Sequence, residues 1–226
     1  ALMDATYLTA LRTGAGAGAA TELLARPDSS IAAIIGSGTQ AKTQLLALCE
    51  ARPITEARIH SPNAQHVSRF IAEMQPQVKA KLTHASSPRD AIINADIVCA
   101  ATTSTTPVFD GRDLKPGAHV NGVGAYTLQM KEIDNETIRR AKKVFVDSRE
   151  TTVAEAGDVM DAIQNNVITE NDLIEIGAVA AGQYANRADG DITFFKSCGI
   201  AVQDVAAGGE VLRRAREMKL GIEVTL

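Results

Sequence analysis

Residues 31–41 read Ile-Ala-Ala-Ile-Ile-Gly-Ser-Gly-Thr-Gln-Ala, and no other stretch of the chain restricts its fold as strongly. A five-residue apolar run meets a glycine turn, and a helix-period segment follows (Gln44, Leu45, Leu46, Leu48, Cys49). That order describes a buried strand, a tight turn and a helix start, the setting in which G-x-G-x-x-A carries meaning. Gly36 permits the turn, Gly38 lets a diphosphate approach the backbone, and Ala41 allows close strand–helix packing. The first N–H groups of the helix, with its dipole, favour the phosphates. The pattern predicts a dinucleotide-binding half of a Rossmann fold. A glycine turn in an α/β domain without a ligand is the alternative reading of the same residues.

The 226 residues suffice for a real core, in one large domain or two small ones. A net charge of −4 with no basic run argues against a general nucleic-acid binder. No apolar run approaches the roughly 18 residues of a membrane span, and residues 1–14 lack the basic-then-apolar order of a secretory signal. Cys49, Cys99 and Cys198 stand singly among apolar residues, which predicts buried free thiols in a reducing compartment, the cytoplasm. His60, His66, His84 and His119 show no zinc spacing, and no metal is expected.

Residues 6–25 carry Leu8, Leu11, Ala15, Ala19, Leu23 and Leu24 at helical spacing. Gly14, Gly16 and Gly18 interrupt this helix, each costing about 1 kcal/mol against alanine. They mark either a flexible connector or a close approach to a neighbour or to the cofactor. Strands are expected at 31–35, 56–60, 78–83, 96–100, 118–121 and 143–147. Helices are expected at 39–51, 62–74, 87–94, 134–141, 150–164, 170–181 and 197–218. Such alternation predicts βαβ units and a doubly wound parallel sheet covered on both faces. The nearly all-apolar stretch around Ile97-Val98-Cys99-Ala100 suits its centre.

In a dinucleotide-binding unit the second strand commonly ends in a carboxylate that holds the ribose 2′-hydroxyl. Here the strand runs from Glu56 to His60 and leads into Ser61-Pro62-Asn63, with no carboxylate at its tip. Nothing there would repel a 2′-phosphate. Ser61 and Asn63 can donate hydrogen bonds, and His66 and Arg69 can add positive charge. NADP(H) is therefore favoured over NAD(H). These residues also read simply as caps of the next helix, with Ser61 before Pro62 as its start.

Several further phrases act in combination with IIGSGTQA: LTALRTGA at 8–15, HVNGVGA at 119–125, VDSRE at 146–150, EAGD at 155–158, and ITFFKSCG at 192–199 with AVQD at 201–204. In this order and spacing the chain resembles the ornithine cyclodeaminase/μ-crystallin family from Leu8 onward. The resemblance implies a Rossmann domain at 28–200. Parts of a second, substrate-binding and dimerising domain would flank it at 1–27 and 201–226. It implies a homodimer, a bound nicotinamide dinucleotide, and chemistry at the α-carbon of a small amino or imino acid. Arg12 matches the arginine that grips the substrate carboxylate, a task suited to a guanidinium fork. Thr13, Thr39, Gln40, Thr102 and Ser197, with Gly36, Gly38 and Gly122, fall among cofactor-lining positions. Ser61 stands where NAD-using cyclodeaminases place a ribose-binding Asp.

Two departures from the family pattern follow. Tyr126 occupies the slot of an Asp that handles protons in the cyclodeaminases. A free phenol keeps its proton at neutral pH and is a poor base. Imine reduction or amino-acid oxidation, of the ketimine-reductase or alanine-dehydrogenase type, therefore fits better than cyclodeamination. Residues 220–226 look like the strand returning to the second domain, most of which family members build from residues ahead of LTALRTGA. The substrate half of the site is thus expected to be incomplete, and a non-catalytic NADP(H)- or ligand-binding protein is the rival of a different class. Among the other polar residues, Asp147 is expected to cap a helix and Asp204 to be structural. Glu150, Glu155 and Asp158 complement helix dipoles or border the cofactor. Lys196 contacts substrate or phosphate, or is simply solvated.

Overall fold

The computed structural model describes residues 1–141, 143–184, 188 and 190–222. The glycine turn does what its sequence predicts. β1 (Ile31–Ile35) is buried except for its first residue, and Gly36 follows it at φ +116°, a conformation that favours glycine. A Cβ at Gly36 would also stand 2.5 Å from the Ala101 carbonyl oxygen. α2 (Thr39–Ala51) then starts at Gly38 and lays Ala41, Leu45 and Leu48 against the sheet.

The repeating units continue with β2 (Glu56–His60), α3 (Ala64–Met74), β3 (Lys81–His84), α4 (Pro88–Ile92) and β4 (Ile97–Ala100). β5 (His119–Gly122), α5 (Asn135–Ala141), β6 (Val144–Val146), α6 (Arg149–Glu155) and α7 (Gly157–Gln164) come next. β7 (Leu173–Glu175), α8 (Ile176–Ala180), β8 (Thr193–Lys196) and α9 (Ala201–Glu217) complete the described elements after α1 (Ala5–Leu24). The sheet order is β3-β2-β1-β4-β5-β8-β6-β7, with every pair parallel. The order reverses between β1 and β4, and ligands of such sheets lie outside the carboxyl ends of the strands at that reversal.

Alternate residues face opposite layers, as the strand period requires. Ala32, Ile34, Cys99 and Phe195 join the core under α1, α2 and α3. Ala33, Ile35, Val98, Ala100 and Phe194 join the core on the other face, with α4, α5 and α7. Phe194 and Phe195, adjacent in sequence, thus anchor two layers.

The glycines of α1 mark a close approach. A Cβ at Gly14 would lie 2.8 Å from the Thr43 carbonyl oxygen, and one at Gly18 3.1 Å from the Ala47 Cβ. α1 therefore packs backbone to backbone on α2. It is also joined to the sheet by a buried polar chain. Thr21 Oγ1 accepts from Asn121 Nδ2 at 2.9 Å, and Asn121 Oδ1 lies 3.0 Å from His119 Nε2.

Three expectations need correction. Residues 170–181 are not one helix but a 3-10 turn (Glu170–Asp172), β7 and the short α8. The helix expected at 150–164 is broken at Ala156, which is extended (ψ 96°), because Gly157 sits against the Met130 and Leu128 carbonyls with no room for a side chain. α3 is capped by Asn63, not started by Ser61: Asn63 Oδ1 accepts from the N–H groups of Gln65 and His66. The strand expected at 220–226 lies partly outside the described residues, since 223–226 are not among them. Among the described residues no helix is long and apolar enough to cross a membrane.

Candidate active site

The predicted site residues collect at the carboxyl ends of the parallel strands. Gly36, Gly38, Thr39 and Gln40 follow β1, Ser61 and Asn63 follow β2, and Thr102 follows β4. Gly122 ends β5, Tyr126 lies just beyond it, and Lys196 ends β8 with Ser197 next. Arg12 reaches the same edge from α1, where its guanidinium lies against Gly199.

A dinucleotide fits the first of these loops. Nothing lies within 4 Å of where a Cβ on Gly38 would stand, so the space above the turn is open. No side chain caps α2, which leaves its first N–H groups to an incoming acceptor. Gln40 Oε1 is buried without a hydrogen-bond partner. Beside the turn is a cleft of about 220 Å³ lined by Ser37, Gly38, Thr39, Lys42, His66, Arg69, Phe70 and Glu73. Glu73 is engaged there by Lys42 at 2.6 Å, whereas Arg69 and His66 are exposed.

Glu132 is the functional candidate that sequence reasoning missed. It is fully buried and accepts three backbone N–H groups, from Thr102 on Oε1 and from Gly124 and Ala125 on Oε2. The loops after β4 and β5 are thereby fastened together, and a Cβ at Gly124 would stand 2.1 Å from the Thr102 carbonyl oxygen. Burial pushes the Glu132 carboxyl up, against the opposing pull of Lys196 and the Thr102 N–H. No periodicity marks this residue, because it lies in the irregular stretch between β5 and α5.

Lys196 lies behind the same loop. It is fully buried, which excludes the solvated reading, and its ammonium donates to the Ala125 carbonyl (2.6 Å) and Asp158 (3.3 Å). Burial alone would lower its pKa, but Asp158 and Glu132 outweigh it and the net shift is upward. Asp158, expected at a helix start or on ligand, does stand in the first turn of α7, and there it is the buried partner of Lys196. Asp147 does not cap α6, since Ser148 does. Its Oδ2 instead accepts from Ser197 Oγ (2.9 Å) and the Gly199 N–H (2.6 Å), which shapes the turn after β8.

Other expected residues have visible local duties. Thr13 donates its hydroxyl to the Thr9 carbonyl of its own helix. Gly122 makes room for Phe194 and Ile133, which would lie 3.0 and 3.2 Å from a Cβ. Thr102 Oγ1 accepts from the Ser104 N–H. Tyr126 is 52% exposed. Asp204, expected to be structural, pairs with Arg12 at 3.2 Å. Among the described residues no cluster of His, Cys, Asp and Glu could hold a metal ion. Burial pushes the Cys198 thiol up to about 12 and the Cys49 thiol up to about 11, so both stay protonated.

Residues 1–219 match the ornithine cyclodeaminase/mu-crystallin family. The chain belongs to that family. It is 35% identical to a Delta(1)-pyrroline-2-carboxylate reductase of Bacillus cereus, over 98% of this chain and 68% of that protein. The structure of the Thermococcus litoralis Delta(1)-pyrroline-2-carboxylate reductase with NADH and L-proline superposes with a TM-score of 0.94. Its identity is 38%, over 98% of this chain and 69% of that one. An archaeal alanine dehydrogenase dimer with bound NAD gives a TM-score of 0.90 at 32% identity, over 99% of this chain and 69% of that one. In this family member the glycine turn, Thr102, Ser197 and Arg12 stand on one edge of one sheet.

Proposed function

We propose that this chain, an NAD(P)-dependent oxidoreductase, reduces the carbon–nitrogen double bond of a small α-imino acid, a cyclic one above all, and runs the reverse oxidation of the amino acid. The observation that carries this reading is the shared edge: the open glycine turn of α2 and the Arg12 guanidinium serve the same end of the sheet. The reading is supported by relatives that are imine reductases and alanine dehydrogenases.

When bound, the nicotinamide supplies the hydride to the α-carbon, the nitrogen gains a proton, and the dihydronicotinamide is oxidised. Everything else is positioning. Gly36, Gly38, Thr39 and Gln40 hold the diphosphate at the start of α2, and Ser61 with Asn63 borders the adenosine ribose. Thr102, Gly122 and Ser197, with Thr13 on α1, border the nicotinamide half. Arg12 takes the substrate carboxylate so that the α-carbon faces the ring, and Lys196 backs the substrate side from behind Ala125. Tyr126 offers a hydroxyl donor at the cleft, whereas the Asp of the cyclodeaminases has no counterpart at this position.

We propose further that NADP(H) is preferred, that 28–200 is the dinucleotide-binding domain, and that 1–27 and 201–226 belong with a substrate and dimer unit. The absence of a carboxylate at the β2 tip supports the cofactor preference, as do Arg69 and His66 beside the turn. Product analysis tests the reaction: NADPH and Δ1-pyrroline-2-carboxylate should yield L-proline, and ammonia release from L-ornithine would instead mark a cyclodeaminase. Nicotinamide fluorescence tests the preference. Arg69→Ala should weaken NADPH about tenfold and leave NADH unchanged, and equal loss of both would defeat the proposal.

A further inference from the structure

Arg12 does not hang free in the cleft; it is seated. Its Nε donates to Asp204 Oδ1 at 3.2 Å, and its Nη1 donates to Gln203 Oε1 at 3.2 Å. Both partners stand on the first turn of α9. Beside the guanidinium is Gly199 at φ +91°, and a Cβ there would stand 2.1 Å from Nη1 and 2.8 Å from both Cζ and Nη2. Any side chain at Gly199 would therefore collide with the guanidinium, and the Gly199 backbone is itself fixed by its N–H bond to Asp147. Nη2 has no hydrogen-bond partner among the described residues.

Stability does not explain this arrangement. The Asp204 side chain is 42% exposed, and ion pairs of that kind contribute little. What the contacts do is select one rotamer of a long side chain and leave Nη2, one arm of the fork with which a guanidinium grips a carboxylate, without a protein partner among the described residues. We propose that Asp204 and Gln203 are positioning residues for the substrate carboxylate, acting through Arg12, with Gly199 leaving the room its guanidinium needs. The inference rests on the proposed role of Arg12 as the carboxylate ligand.

Calorimetry on the full chain saturated with NADPH tests it, with pyrrole-2-carboxylate and its neutral carboxamide as probes. Asp204→Asn should weaken the carboxylate about tenfold, leave the carboxamide unchanged, and be partly rescued in Asp204→Glu. Unchanged carboxylate binding in Asp204→Asn would overturn the proposal. So would equal loss of both probes, or no carboxylate binding by the unaltered chain. Failure of imine turnover with carboxylate binding intact would count against the proposed reaction and leave the seating of Arg12 standing.

Discussion

Lys196 and Asp158 meet 3.3 Å apart with neither side chain reaching solvent. A buried pair of this kind is weak evidence of stability as such, yet breaking it from one side strands a charge. Lys196→Met should destabilise the chain by about 3–5 kcal/mol in urea unfolding, while Lys196→Met with Asp158→Leu should recover much of the loss. Equal losses in the single and double variants would mean that packing, not charge, matters here.

Glu132 offers a second test. Both of its carboxylate oxygens accept N–H groups, two of them on Oε2. In Glu132→Gln the side-chain NH₂ must face donors, so about 2–4 kcal/mol of stability should be lost. Cofactor affinity should fall with it, because the loops after β4 and β5 are no longer fastened together. Unfolding and NADPH titration of one sample read both effects, and wild-type values in each would refute the role given to Glu132.

The two glycines of the turn should part company. Gly36→Ala places a Cβ against Ala101 at a positive φ and should cost more than about 2 kcal/mol. Gly38→Ala meets nothing and, at the N-cap of α2, should cost no more than about 1 kcal/mol. Yet it should weaken NADPH tenfold or more, by filling the space the diphosphate needs. Thermal melts and fluorescence titrations of the two variants separate fold from ligand.

Acid should act through Asp96. Burial alone would raise its carboxyl, but Lys115 and the N–H groups of Ser30 and Ile31 hold it below the usual range. A carboxylate with a lowered folded pKa stabilises the chain fully above the unfolded value of about 3.9, and that stability fades as pH falls through the folded value. Asp96→Asn should therefore flatten the fall in stability below about pH 5 and reduce stability at neutral pH. Parallel pH profiles of the two proteins would expose any error in this assignment.

Local patterns carried much of this architecture. The turn at Gly36–Ala41, the apolar β4 and the period of α2 are short-range signals, and they placed the first βα unit and the centre of the sheet. Leu173 and Ile174 were read as helical because a three-residue edge strand has too little alternation to override the flanking Ile176 and Val179. The break at Ala156 depends on where the 128–130 loop lands, which no local signal encodes. Glu132, Asp158 and Asp204 look like ordinary surface acids in the sequence. Their roles arise from partners 7 to 192 residues away, brought close only by the finished sheet.

If Arg12 and the glycine turn serve one reaction, weakening the first must impair turnover without loosening the cofactor. The deciding measurement compares the unaltered chain with Arg12→Lys: kcat/KM for NADPH-dependent reduction of Δ1-pyrroline-2-carboxylate, with the NADPH Kd taken in parallel. Loss of the fork should lower kcat/KM about a hundredfold and leave the Kd unchanged. Equal kcat/KM in the two proteins would contradict the account.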